Sequence, residues 1–304
     1  MPASLCLLIA TFLWGSSFVA LKYTINVYDP IFVIFMRMFI TLIACLILWR
    51  WIKRFEYKQG DWKYLLTMSL SEPCLYFLFE GYALQNTSAS QAGVLVSSLP
   101  LIVAFLAYYL LKEKLSKAIF IGFGLCILGG VLLTYLSPST DDASNPVLGN
   151  ALEFMAMVCA AYYSVSLKRL STRYSPLSLI AMQGLSGSLF FAPILCFRGL
   201  PEIHDGSALL SILYLGTFVT LGAYGFYNYA LRKVSVLTAA AFSNLVPVFS
   251  LLLSAVLLGE KLNLNQWGSI FIIFLGVAIS QRHKSGSTLD EQGDVEHLVA
   301  TVSD

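Results

Sequence analysis

Four ionisable residues interrupt long apolar runs: Arg37, Glu72, Glu80 and Glu153. At 1.5 Å per helical residue, Arg37 lies roughly 10 Å below the outer end of its run, and Glu80 about 6 Å below the outer end of the next. Those two are close in depth. Glu72 lies about 14 Å from the inner end, near the midplane. Glu72, Tyr76 and Glu80 step by four and are expected to share one helix face. One expectation for Arg37 is a buried ion pair with Glu80 that locks two helices. The other is an anchor for a substrate carboxylate, which suits arginine's planar fork. A pair that opens to admit substrate unites both. Glu72 has no depth-matched cation, so it is expected to take a substrate amine or a coupling proton; the alternative is a neutral glutamate hydrogen-bonded to a neighbouring helix. Pro73 follows it and cannot donate to the Ser69 carbonyl. Glu153 is expected at the membrane interface.

Pro100 and Pro247 occupy matching places in two apolar runs. Each withdraws one helical hydrogen bond, which would free the carbonyls of Val96 and Ser243. Paired interruptions in corresponding helices point to a transport site. Ser97, Ser98, Ser243 and Asn244 are the polar residues nearby, and Gln91, Tyr163, Tyr224, Tyr227 and Asn228 are further candidates. Tyr23, Tyr28, Trp49, Trp51, Trp62 and Trp267 fall at run ends and read as interfacial anchors. The pairs Glu113-Lys114 and Glu260-Lys261 are expected to set turns. Gly122, Cys126 and Gly130 make a small-residue face for close helix packing.

Catalytic alternatives find little support. The histidines, His204, His283 and His297, lie in a loop and the tail, and no metalloprotease, nucleophile-elbow or phosphate-loop motif occurs. The six cysteines, Cys6, Cys45, Cys74, Cys126, Cys159 and Cys196, all fall in apolar runs without close pairs, which reads as buried structural residues. No metal, cofactor or enzymatic activity is expected, and no nucleic-acid partner. Asn86-Thr87-Ser88 matches a glycosylation sequon, but in a loop too tight for use.

The elements that must position these residues are membrane helices. Of 304 residues, 58% are hydrophobic and 12% charged, against about 25% charged in a soluble domain. Ten segments reach spanning length, near 3–22, 30–50, 63–83, 87–111, 117–136, 147–167, 177–197, 208–230, 236–258 and 264–281. They are continuously apolar, which excludes barrel strands. The first has no Lys or Arg before Leu21 and does not read as a signal peptide. With the N-terminus in the cytoplasm, fifteen of the nineteen Lys and Arg fall on the cytoplasmic side. Only Lys22, Arg198 and Lys261 fall opposite, and Arg37 is inside a span. This places both termini in the cytoplasm.

The chain also contains itself twice. Setting Ala83–Leu115 against Ala230–Leu262, a shift of 147, gives 11 identities in 33 positions, among them Pro100/Pro247 and Glu113-Lys114-Leu115/Glu260-Lys261-Leu262. A shift of 146 aligns Lys22 with Lys168 and Pro30 with Pro176. The domain reading is a first five-helix repeat (1–137), a linker (138–149), a second repeat (150–281) and a flexible, acidic cytoplasmic tail (282–304). Five is odd, so the second repeat enters the membrane inverted, an arrangement of secondary transporters. The fold class is therefore all-α integral membrane, with ten transmembrane helices in two inverted repeats.

The run Leu13-Trp14-Gly15-Ser16-Ser17-Phe18-Val19-Ala20-Leu21-Lys22 resembles the first helix of EamA-type carriers of the drug/metabolite transporter superfamily. Pro30 with Arg37 resembles their second helix. Leu258-Gly259-Glu260-Lys261-Leu262, Trp267-Gly268 and Leu275-Gly276-Val277 resemble their repeat ending, with Lys112-Glu113-Lys114-Leu115 as the first-repeat version. The resemblance covers 3–281. The second repeat departs from it: Trp14 and Gly15 align with Ala160 and Ala161, and Arg37 with Gln183. The resemblance implies a carrier of small solutes with a central cavity, working by alternating access. The expected function is a secondary active transporter, an exporter or exchanger, in the cell membrane. Its expected partners are the lipid bilayer, a coupling proton and a small-molecule substrate, an amino acid or related amphipathic solute. A channel or non-transporting receptor is the alternative.

Overall fold

The computed structural model describes residues 1–48, 57–111, 117–137, 140 and 143–282. Arg50, Lys53, Arg54, Trp49, Trp51, Lys112, Glu113, Lys114, Pro138, Asp141, Asp142 and residues 283–304 lie outside the described residues. Among the described residues the regular elements are helices, joined by short loops, with one isolated bridge between Thr140 and Ala143. It opens with α1 (Ala3–Ile25) and α2 (Pro30–Ile47). The third stretch is broken into α3 (Trp62–Ser69), a π-helical turn (Leu70–Leu75) and α4 (Tyr76–Asn86). The fourth is broken into α5 (Ala89–Leu95), a 3₁₀ turn (Val96–Ser98) and α6 (Leu99–Leu111). α7 (Lys117–Tyr135), α8 (Pro146–Ser171) and α9 (Pro176–Arg198) follow. α10 (Gly206–Tyr214) passes through a π-helical segment (Leu215–Ala223) into α11 (Tyr224–Leu231). α12 (Val236–Phe242), α13 (Leu245–Leu253), a π turn (Ser254–Leu258) and α14 (Leu264–Arg282) complete the order.

Seven stretches are long and apolar enough to cross a membrane: Ala3–Ile25, Pro30–Ile47, Ala89–Leu106, Lys117–Tyr135, Pro176–Arg198, Gly206–Leu231 and Val236–Leu258. The other three expected segments are also helical. One is interrupted at Glu72-Pro73, α8 carries Asn150, Glu153, Lys168 and Arg169, and α14 is apolar only over Leu264–Ile279.

Side chains written into the loops start these helices. Asp29, Asn145 and Ser175 accept from the amides of Ile31, Leu148 and Ser178, each just before a proline that opens the helix. Ser88 and Ser235 do the same for Gln91 and Thr238. Because α8 starts at Pro146, the last four residues of the expected linker are helical.

Polar ties join the helix ends at two faces. At the near face, where α1 begins, Arg173 pairs with Asp61 at 2.7 Å and Arg169 donates to the Tyr64 hydroxyl at 2.7 Å. At the far face Arg198 pairs with Asp29 at 2.5 Å, and the amide of Asp205 donates to the Tyr28 hydroxyl at 3.0 Å. Tyr28 is thus buried in a loop junction and is not an interfacial anchor. Tyr23, Trp62 and Trp267 are exposed, as expected of anchors. Lys22, expected in an outer loop, is buried, and Nζ donates to the carbonyls of Leu84 (2.6 Å) and Thr87 (3.0 Å).

Close helix crossings use small residues. A Cβ at Gly276 of α14 would lie 2.6 Å from the Gly122 carbonyl oxygen, and Cys126 Sγ donates to the Ile273 carbonyl at 3.4 Å. The small face expected on α7 therefore meets α14, with Gly129 against Ile273, while Gly130 faces Leu95. A Cβ at Gly216 would lie 2.9 Å from the Arg37 carbonyl oxygen, so glycine there lets the π-helical segment press on α2. Five cysteines are buried, but Cys196 is exposed, contrary to expectation, because it sits in the last turn of α9.

Candidate functional site

The breaks in the third, fourth and later helices gather around one narrow cavity of about 50 Å³. Arg37, Glu72, Tyr76, Glu80, Tyr163 and Tyr224 all line it, so the expected residues on five separate elements do converge. Trp14, Ser17 and Phe18 form the α1 wall.

Arg37 is 1% exposed. Its Nε donates to Thr220 Oγ1 at 2.8 Å, and its guanidinium carbon lies 4.1 Å from the Phe77 ring centroid. Thr220 is oriented in turn, since its hydroxyl donates to the Leu215 carbonyl at 2.9 Å. Arg37 Nη1 stands 3.7 Å from Glu80 Oε2, and neither atom has a hydrogen-bond partner among the described residues. The pair foreseen from depth exists, but loosely: the charges attract while the fork is not closed on the carboxylate. Glu80 Oε1 accepts from the Tyr76 hydroxyl at 2.8 Å.

Glu72 departs from the helix at φ −148°, ψ 116°, and its peptide bond to Pro73 is cis. The expected continuous helix face is therefore interrupted between Glu72 and Tyr76. The turn still aims the carboxylate into the cavity, where it accepts a hydrogen bond from the Tyr224 hydroxyl. Tyr224 belongs to an aromatic wall. The Trp14 ring lies 5.4 Å from it and 5.0 Å from Tyr227, and Tyr163 lies 6.0 Å from Tyr224. Trp14 Nε1 has no partner among the described residues.

The prolines act differently from expectation. Pro100 and Pro247 are not mid-helix kinks but sit in the first turns of α6 and α13, where the missing amide costs little. The breaks come just before them. The carbonyls of Val96 and Ser243 are not freed, because the amides of Leu99 and Val246 bond to them. Val96, Leu99, Ser243 and Val246 line the cavity, so the two half-helix starts abut it.

Gln91, Asn228 and Asn244 are not in the lining, and neither are Ser97 and Ser98. Gln91 is buried near the far face, where Oε1 accepts from Asn150 Nδ2 at 3.0 Å; it serves a polar lattice that includes Thr87. Asn228 lies one layer behind the wall and accepts from the Tyr163 hydroxyl at 3.3 Å. Asn244 flanks the break before α13, half-buried. Glu153 is corrected more sharply: it is completely buried, because α8 runs through the centre of the bundle and turns it inward. Glu260 does not set a turn alone. Its two oxygens accept from the amides of Ala89 (3.0 Å) and Ser90 (2.9 Å), clasping the start of α5.

Sequence reasoning missed Thr220, Phe77, Ser164 and the role of Trp14 as wall. The repeat could have found some of them. Lining positions pair at a shift of 146 on α1 and α8 (Trp14/Ala160, Ser17/Tyr163, Phe18/Ser164). They pair at 147 on α4 and α11 (Phe77/Tyr224, Glu80/Tyr227) and across the two breaks (Val96/Ser243, Leu99/Val246). The geometry is matched while the chemistry is not, since the charges come from the first half.

The profile of the EamA-like transporter family matches this chain twice, over residues 1–135 and 147–281. An uncharacterized transporter of Archaeoglobus fulgidus is 29% identical over 275 residues, covering 89% of this chain and 95% of that protein. The uncharacterized transporter YetK of Bacillus subtilis is 28% identical over 221 residues, covering 70% of this chain and 64% of its own length. A solved crystal structure superposes with a TM-score of 0.67 at 20% identity, covering 92% of this chain and 96% of that one, which shows the shared fold. With apolar helices long enough to span and a family profile across both halves, the chain is a multi-pass membrane protein that belongs to the EamA-like transporter family.

Proposed function

We propose that the protein is a secondary active transporter that moves a small amphipathic metabolite, an amino acid or related solute, by alternating access. Ten spans form two inverted five-helix repeats (1–137 and 150–281) joined by 138–149, with both termini and the tail 282–304 in the cytoplasm of a cell carrying it in its plasma or inner membrane. The matched lining positions and the double family match support the repeat reading. The distribution of Lys and Arg supports the orientation.

The observation that carries the function is the meeting of a loosely paired guanidinium, Arg37, and a second carboxylate, Glu72, across one buried, aromatic-walled cavity. Arg37 is suited to a substrate carboxylate and Glu72 to a substrate amine or a coupling proton. The starts of α6 and α13 add the positive ends of two half-helices. A cavity of about 50 Å³ has room for roughly four water-sized spheres. Export or exchange is the proposed direction.

The test is counterflow in proteoliposomes loaded with unlabelled amino acids and exposed to the labelled mixture. A saturable overshoot that Arg37→Ala abolishes is expected. A flux that shows neither saturation nor counterflow would remove the carrier reading.

A further inference from the structure

Glu153 is unused by the site as described, yet shares its depth. It stands seven residues into α8 from the far face, Arg37 seven into α2, and Glu80 six before the end of α4. All three therefore lie in one layer, roughly 10 Å deep. Glu153 is 0% exposed, and neither carboxylate oxygen has a hydrogen-bond partner among the described residues. Its helix packs on the helix of Glu80: a Cβ at Gly149, one turn before Glu153, would lie 2.9 Å from the Ala83 carbonyl oxygen, about one turn after Glu80, so the two carboxylates come level on facing helices. Tyr76 and Glu80 of α4, Glu72 of the π turn, and Tyr224 and Tyr227 of α11 line the cavity, while Tyr82, Cys74 and Tyr229 of the same elements turn to Arg198, the Ser186 carbonyl and Lys233. Of the other helices packed on α8, α5 and α12 carry no titratable residue. Lys63 and Tyr64 of α3, Tyr108 and Tyr109 of α6, and Lys117 and Tyr135 of α7 lie at helix ends, while Cys126 turns to α14.

One guanidinium thus lines the cavity with Glu72 and Glu80, while Glu153 lies in its layer with no cation beside it among the contacts of the described residues. A bare carboxylate in a dry interior beside a like charge costs several kcal/mol. Carboxylates that share such a site keep a proton between them. A metal ion fits poorly, since among the described residues no three His, Cys, Asp or Glu side chains converge as ligands. Hydrogen ions are the cations that match.

We propose that Glu80 and Glu153 form an acid pair switched by Arg37: the pair holds one proton while Arg37 faces Glu80, and two when Arg37 is drawn away. Glu153 is then a second proton site, distinct from Glu72, and the inference rests on the transporter reading only for its use. When a substrate carboxylate takes Arg37, Glu80 gains an O–H bond with a proton from water on the open side. When Arg37 returns, that bond breaks and the proton leaves to water.

Infrared spectra of the purified protein at neutral pH test this without any substrate, by the carbonyl stretch of protonated carboxyl groups. All variants carry Glu72→Gln to remove that group. The parent is expected to show a protonated-carboxyl band that shifts in D2O. Glu153→Gln should lose it, Glu153→Asp should restore it at a displaced frequency, and Arg37→Ala should increase it. Circular dichroism checks that each variant is folded. A band unchanged by Glu153→Gln, or one that does not shift in D2O, overturns the acid pair. Counterflow on the wild-type protein is scored separately. If it succeeds while the band fails, only the acid pair falls; if it fails while the band behaves as expected, the pair stands and the transporter reading falls.

Discussion

Lys22 and Lys168, 146 positions apart, make the same contact. Lys22 Nζ donates to the carbonyls of Leu84 and Thr87, and Lys168 Nζ to those of Leu231 and Val234. The two carbonyl pairs are themselves matched at a shift of 147. Each lysine satisfies orphan carbonyls where one helix turns into the next. Lys22→Met should lower stability by about 1–3 kcal/mol, the cost of stranding buried acceptors. Lys168→Met should cost less, because Lys168 is half-buried where Lys22 is 3% exposed. Melting in detergent measures both, and equal Tm losses would contradict the difference.

Arg37→Lys keeps the charge and removes the Nε donor that holds Thr220. Counterflow should fall roughly tenfold or more, since a lysine ammonium cannot reproduce the fork. Thr220→Val should give a smaller loss. If Arg37→Lys transports as well as wild type, charge alone suffices and the oriented guanidinium has no role.

Tyr224→Phe keeps the ring beside Trp14 but removes the hydroxyl that donates to Glu72. The carboxylate then has one partner fewer in a buried wall, so stability should drop by about 1–3 kcal/mol. Counterflow should fall as well. Tyr227→Phe, whose hydroxyl reaches Ser164 only at 3.3 Å, should be milder on both counts.

Gly93 sets the approach of α5 to α13. A Cβ there would lie 2.1 Å from Ser250 Oγ and 2.4 Å from Ser250 Cβ. Gly93→Ala should destabilise the protein by about 1–3 kcal/mol through overpacking. Ser250→Gly in the same chain should restore much of the loss, because the clashing atoms are that side chain's alone; the Ser250 Cα stays 3.9 Å away. Thermal shift of the single and double variants decides, and no rescue would mean that the backbone sets the spacing.

Much of this architecture could be read in advance because two local signals dominate a membrane chain. Continuous apolar runs mark the helices, whereas the cap-then-proline starts at Asp29, Asn145 and Ser175 are seen only in the structure, which is why the expected linker overruns the start of α8. Depth counted along a helix also brought Arg37 to Glu80 correctly. Counting gives height but no direction around the axis. Depth alone therefore points Glu153 to the interface while α8 turns it inward, and Gln91 and Asn228 lie behind the wall that their depth suggests they form. Lys22 and Glu260 failed for a related reason: each acts on backbone groups of another segment, and backbone acceptors and donors leave no mark in a sequence.

The Glu260 clasp has a consequence for how the chain is made. The amides of Ala89 and Ser90 find their acceptor 171 and 170 residues later. At about 5–20 residues per second of synthesis, roughly 10–30 s separate the two ends of that bond. During that interval the start of α5 must be held by water or lipid headgroups. The far side of the first half stays unsealed until the last loop emerges, and its closure waits on the final stretch of translation.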